Sequence, residues 1–238
     1  MRYKAPWLGA VWAFVVPLVV SLVLMLVFGH LLPVAPEPSK FFLFVATAMF
    51  PWNFFQASVS SSTTSIQENA ELIQKVAFPR AILPLAIVGA NGFSFLCALL
   101  VLSVMVWWMS GATWWVLLLP CAILLQGLFT VGVAWIVAGL QASYRDVKYV
   151  VEVGLWLWFY LTPVFYPMTW VHQLGGMWAA LYLANPMVSL ISLFRVALLG
   201  PETAELLTSS AVMGCLATAI VGTSAVLVVG WWVFQRHE

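Results

Sequence analysis

SIQENAELIQKVAFPRAILP, residues 65–84, is a charged interruption in a chain that otherwise reads as hydrocarbon. Ser65 with Glu68 three positions on has the pattern of a capping box, which satisfies free N–H groups at a helix start. Ile66, Ala70, Ile73 and Ala77 then share one helical face, and Glu68, Glu71 and Lys75 another. Glu71 and Lys75 form an i,i+4 pair in the favourable order. Pro79 cannot continue the helix. A short amphipathic helix over about residues 66–78, set between apolar stretches, lies on a membrane surface or against a partner. Two readings fit: a capped interfacial connector, or a docking helix that carries force from a soluble partner into the membrane.

Composition decides the class on either side of it. The chain is 64% hydrophobic and 7% charged, where a soluble domain carries about 25% charged residues. Mean hydropathy is +1.04, so the expectation is an integral membrane protein. A net charge of +1 argues against a nucleic-acid partner. The first apolar stretch is too long for a signal-peptide core and lacks a small-residue cleavage site. Cys97, Cys121 and Cys215 lie far apart in apolar runs, without ligand spacing, and are expected as small buried side chains.

A helix needs about 20 apolar residues to cross roughly 30 Å of hydrocarbon. Six stretches qualify: about 8–28, 41–60, 84–109, 114–140, 150–167 and 211–234. Pro17 and Pro51 fall inside the first two, where neighbouring helices can tolerate them. The fifth ends in Thr162-Pro163-Val164-Phe165-Tyr166-Pro167. Residues 168–205 are too mixed for a span and apolar enough for two short helices dipping into the interface. The expectation is an all-α integral membrane protein, one transmembrane domain over residues 1–238. It has six transmembrane helices, an amphipathic helix between spans 2 and 3, and short re-entrant or interfacial helices between spans 5 and 6. Six spans put both termini on one side, with Arg2, Lys4, Lys75, Arg80, Arg145, Lys148 and Arg236. Lys40 and Arg195 fall on the other. The positive-inside rule makes the first side cytoplasmic. Arg195, against that rule, reads as a snorkelling interfacial side chain or as a contact to lipid phosphate or a partner helix.

No span carries Asp, Glu, Lys or Arg near its middle, which disfavours coupling to an ion gradient. Gly222-Thr223-Ser224-Ala225 has a weak likeness to a serine-protease turn, but His30, His172 and His237 lie outside the spans. With no HExxH and no GxxxxGK[ST], intramembrane hydrolysis is disfavoured and nucleotide chemistry belongs to another chain. What remains is a conduit or scaffold driven from outside. Aromatic residues cluster in the second span (Phe50, Trp52, Phe54, Phe55) and the fifth (Trp156, Trp158, Phe159, Tyr160, Phe165, Tyr166). They serve lipid contact and helix packing, or they line a path that offers apolar faces and polar tips to a sliding sugar chain.

Several motifs, taken in order, resemble one family. They are Arg2-Tyr3-Lys4 with Leu8-Gly9, Trp12 and Pro17; Phe50-Pro51-Trp52-Asn53-Phe54-Phe55; and Asn69, Leu72-Ile73, Lys75 and Phe78-Pro79-Arg80 with Ile82 and Pro84-Leu85. Arg145-Asp146-Val147, Thr162-Pro163-Val164-Phe165-Tyr166, Asn185-Pro186 and Arg195 follow. The set is similar to the membrane subunit of ABC-2-type exporters, in the polysaccharide and O-antigen branch. One departure is that Met1 precedes Arg2 directly, so the amphipathic gate helix usual before this motif is expected to be absent or short.

The resemblance implies a homodimer with two copies of a separate ABC ATPase, which binds ATP and Mg; no cofactor is expected in this chain. Glu68, Asn69, Glu71, Leu72, Lys75, Phe78 and Arg80 would dock on that ATPase. Phe50, Trp52, Phe54, Phe55, Trp156, Phe159, Tyr160, Phe165 and Tyr166 would line the channel. Asn185 and Arg195 would belong to outer-face helices near its exit. The implied cargo is an undecaprenyl-linked glycan, most directly O-antigen, moved across a bacterial inner membrane among its lipids. A small lipid or drug is the alternative cargo.

Overall fold

The computed structural model describes residues 6–31, 37–75, 78–168, 170, 175–177, 182, 184–201 and 209–237. The described residues form helices and their connections. In chain order these are α1 (Pro6–Met25, wound on as a π-helical turn Leu26–Leu31), α2 (Pro38–Thr63), α3 (Ser65–Glu68), α4 (Ala70–Lys75) and α5 (Ile82–Ser110). A 3-10 turn, Trp114–Leu118, then leads into α6 (Leu119–Ser143). The remainder are α7 (Val147–Tyr160), α8 (Pro186–Leu199) and α9 (Ser209–His237).

Five helical stretches are long and apolar enough to cross a membrane: Val11–Gly29, Pro38–Thr63, Ile82–Ser110, Trp114–Ser143 and Ala211–His237. They coincide with five of the six expected spans. The span expected over 150–167 does not form as one helix. α7 has 14 residues, about 21 Å at 1.5 Å per residue, and is too short to cross alone. It stops where Pro163 brings no N–H for Phe159 O; Thr162 N donates there at 3.2 Å, and the Thr162 hydroxyl donates to Trp158 O at 2.8 Å.

α2 is the axis of the bundle. Its span is 72% buried against 39% or less for the other four, and it is also the least apolar of the five. A buried span can carry polar groups that satisfy themselves within the helix. Thr47 Oγ1 donates to Leu43 O, Asn53 Nδ2 to Met49 O and Thr63 Oγ1 to Val59 O. Around it α1, α5, α6, α7 and α8 pack their apolar faces.

α6 and α9 make the closest helix pair, and glycines set their distance. A Cβ on Gly132 would stand 2.9 Å from Val226 C and Leu227 N, and one on Gly139 3.1 Å from Phe234 Cα. Gly230 faces the Gly132 carbonyl from the other side. Small residues here let two backbones touch, and dispersion over that contact holds helices together in lipid. Trp135 packs edge-on to Trp231 beside the contact and donates to Ala81 O at 3.2 Å, tying α6 to the start of α5.

One expectation is corrected here. The cysteines are free thiols, but Cys97 is exposed and Cys121 and Cys215 are half-buried. An apolar neighbourhood in sequence does not tell the protein interior from the outward face of a span. α8, in the stretch expected to hold re-entrant or interfacial helices (168–205), packs inside the bundle, with Met187 through Leu198 all buried. Asn185 caps it, accepting from Met187 N at 3.0 Å, and Pro186 opens its first turn. The expected helix before it falls largely outside the described residues.

Candidate functional site

The 65–84 stretch folds as two short helices rather than one. Asn69 separates α3 from α4; its side chain donates to Ser65 O at 2.8 Å and its carbonyl accepts Ile73 N at 3.1 Å. The capping box expected at Ser65 is replaced by other bonds, and Thr64, the residue before α3, makes no side-chain cap bond. α2 ends at Thr63, so Thr64 keeps right-handed helical angles (φ −92°, ψ 0°) instead of the extended ones a capping residue needs. Thr64 Oγ1 donates to Glu68 Oε1 at 2.9 Å, while Ser65 is buried and donates back to Ser62 O.

Of the residues expected to dock, Glu68, Glu71 and Lys75 are exposed, and Asn69, Phe78 and Arg80 are half-buried. The Leu72 side chain and residue 77 lie outside the described set. Glu71 and Lys75 pair at 3.9 Å with side chains 93% and 75% exposed. Such a pair adds little to folding and presents both charges to a partner. Ile66 and Ile73 are half-buried beneath them.

Sequence reasoning missed the group that joins this end to the rest of the bundle. Gln141, in the last turn of α6, is buried and bonded to Gln67 of α3 and to the first turn of α7. Its only signal was a long polar side chain at the end of an apolar span. A polar cavity of about 710 Å³ opens beside it, lined by Ser60, Ser61, Glu68, Asn91, Lys148 and Glu152 among others. Asn91 also lines an apolar groove of about 620 Å³ between α1, α2 and α5, with Phe50, Asn53, Phe54 and Phe95.

The structure brings the aromatic residues of α2 and α7 together but divides them by exposure. Phe50, Trp52, Phe54 and Phe55 are core side chains. Trp52 meets Phe159 at 5.4 Å, Phe55 meets Trp158 at 5.2 Å, and Phe54 stacks on Phe95 at 4.8 Å. Trp156 and Tyr160 project outward from α7, 55% and 56% exposed. Phe159, Phe165 and Tyr166 are half-buried between the two sets. Phe165 lies 5.9 Å from Phe159, and the Tyr166 hydroxyl donates to Tyr160 O at 3.0 Å.

Arg195 does not snorkel. It is 2% exposed on α8, its guanidinium carbon 3.6 Å from the Phe44 ring centroid. Nε donates to Phe44 O at 3.3 Å and Nη2 to Val164 O at 2.6 Å. One planar fork thus joins α8, the start of α2 and the turn after α7. Asn185 grips the same turn, accepting from Trp158 Nε1 at 3.1 Å and donating to Thr162 Oγ1 at 3.4 Å. Loop charges follow the membrane rule, but a cation inside the bundle answers to the carbonyls around it.

The family model described as ABC-2 type transporter matches residues 1–199. An O-antigen export system permease protein RfbA of Myxococcus xanthus is 33% identical over 195 residues, 82% of this chain and 74% of the relative. A protein of the same name from Klebsiella pneumoniae is 32% identical over 197 residues, with the same coverage of each chain.

Proposed function

The chain belongs to the ABC-2 type transporter family, and from that membership we propose that it is the membrane subunit of an ATP-driven exporter of a lipid-linked polysaccharide, most directly O-antigen on an undecaprenyl-type carrier. The observation that carries the reading is the 33% identity to an O-antigen export permease across 82% of the chain. The subunit is a transport component and not an enzyme. Two copies pair in the bacterial inner membrane, and two copies of an ABC ATPase, with their ATP and Mg, drive them from the cytoplasm. Both termini lie on the cytoplasmic side, with α3 and α4.

In this arrangement the exposed charges Glu68, Glu71 and Lys75 meet the ATPase, with Asn69, Leu72, Phe78 and Arg80 completing the contact. α7 and the turn over residues 161–167 together make the fifth crossing. Trp156 and Tyr160 face the glycan path, flanked by Phe159, Phe165 and Tyr166. Phe50, Trp52, Phe54 and Phe55 support that wall from behind, because their rings are already covered within one chain. Aromatic faces suit a sugar chain that must slide without being held.

Deleting the gene tests the cargo. Undecaprenyl-linked polymer should accumulate inside while surface polymer disappears; an unchanged carrier pool and surface glycan would point to a small lipid or drug. The docking contact has its own test. Replacing Glu71 and Lys75 together by alanine should leave membrane insertion intact and weaken co-purification of the ATPase by roughly tenfold, as expected for charges at an interface rim. Wild-type co-purification would remove these residues from the interface.

A further inference from the structure

We propose that Gln141 is the positioning residue through which α3 controls the start of α7, so that movement of the docking end shifts the helix that carries Trp156 and Tyr160. The proposal rests on the reading of residues 65–84 as the ATPase contact and adds the route by which that contact is felt. Gln141 is 2% exposed, and every polar atom of its side chain is engaged. Oε1 accepts the Lys148 backbone N–H at 2.7 Å. Nε2 donates to Gln67 Oε1 at 3.3 Å and to Arg145 O at 3.1 Å. The Gln141 carbonyl accepts from Gln67 Nε2 at 3.2 Å, so the two residues exchange bonds in both directions.

The orientation of this amide follows from its partners. A backbone N–H can only donate, so the Gln141 atom facing Lys148 is the oxygen, and the nitrogen must face Gln67 and Arg145. Lys148 is the second residue of α7, where backbone N–H groups have no acceptor within the helix. Asp146, at the capping position, makes no side-chain cap bond. The side-chain oxygen on the first turn of α7 is therefore supplied from α6, by a group that α3 grips from the other side. Stranding a buried amide carries the full penalty of its desolvation. That cost favours movement of the linked elements together over release of one of them.

The test uses the whole complex, permease with its ATPase, and three readouts: co-purification, ATP hydrolysis and glycan exported per ATP hydrolysed. Gln67→Met keeps the length of an exposed side chain and removes its bonds to Gln141. It should leave co-purification and hydrolysis near wild type while export per ATP falls about fivefold or more, the scale of a typical coupling free energy. Gln67→Glu, which keeps the acceptor toward Nε2 but loses the donor to the Gln141 carbonyl, should recover only part of the coupling lost in Gln67→Met, a pattern that loss of fold would not produce. Gln141→Met should match Gln67→Met; if it fails to fold, Gln67→Met decides alone. Unchanged export per ATP in Gln67→Met overturns the proposal. Loss of ATPase from Gln67→Met also overturns it, by making Gln67 a docking contact. Wild-type co-purification of the Glu71/Lys75 variant refutes the docking reading separately.

Discussion

Gly230→Leu is expected to prevent the protein from reaching its folded state, the largest effect of any single substitution considered. A Cβ at Gly230 would be directed into the Gly132 backbone carbonyl. Backbone cannot rotate aside as a side chain can, so α6 and α9 would have to separate along their whole contact. Overpacking commonly costs about 1–3 kcal/mol, and a backbone clash at the closest helix pair should exceed that range. Purified Gly230→Leu should aggregate or unfold well below wild type in a detergent thermal scan. Gly230→Ala should show a smaller shift of the same sign. Gly89→Ala, where a new Cβ meets nothing within 4 Å, is the matched control and should melt at or slightly above wild type. A Gly230→Leu protein that melts like wild type would mean that the two backbones do not touch.

Arg195→Ala should produce the second-largest loss. It leaves Phe44 O and Val164 O without their guanidinium donors and opens the stack on the Phe44 ring. Phe44 O keeps its bond from Thr47 Oγ1, so the stranded carbonyl is Val164 O. With about 1–3 kcal/mol for that group and the lost ring stack, less the desolvation recovered by removing the charge, the net cost is about 2 kcal/mol. Arg195→Lys should fall between, since an ammonium lacks the planar fork that reaches both carbonyls. Thermal stability of the purified protein measures both variants. Equal stability of Arg195→Ala and wild type would show that the turn after α7 does not depend on the clamp.

The spans were legible because a membrane imposes a length on apolar sequence. α1, α2, α5, α6 and α9 follow from counting residues, with ends shifted by a few positions. The Glu71–Lys75 pair was legible because both partners sit on one short helix. Rotation was not legible. Hydropathy says how deep a residue lies and nothing about which neighbour it faces, so Trp52 and Trp156 look alike in sequence although one is core and the other exposed. Long-range polar partners were equally hidden. Nothing near Gln141 in sequence points to Gln67, and nothing near Arg195 points to Phe44. Ser65 does not act as the expected cap because α2 runs on to Thr63, a boundary that apolar length does not set.

The character of α2 also bears on how the protein is made. The helix that ends up most enclosed is the one with the weakest affinity for hydrocarbon among the five. Chains emerge from the ribosome in order, so α2 reaches the insertion machinery before α5 and α6 exist to surround it. A segment that carries five Ser, two Thr and an Asn partitions less readily into lipid by itself. Its integration therefore draws on α1, already threaded, and is completed only when later helices arrive. Assembly of the centre of this protein is a late event, although its sequence comes early.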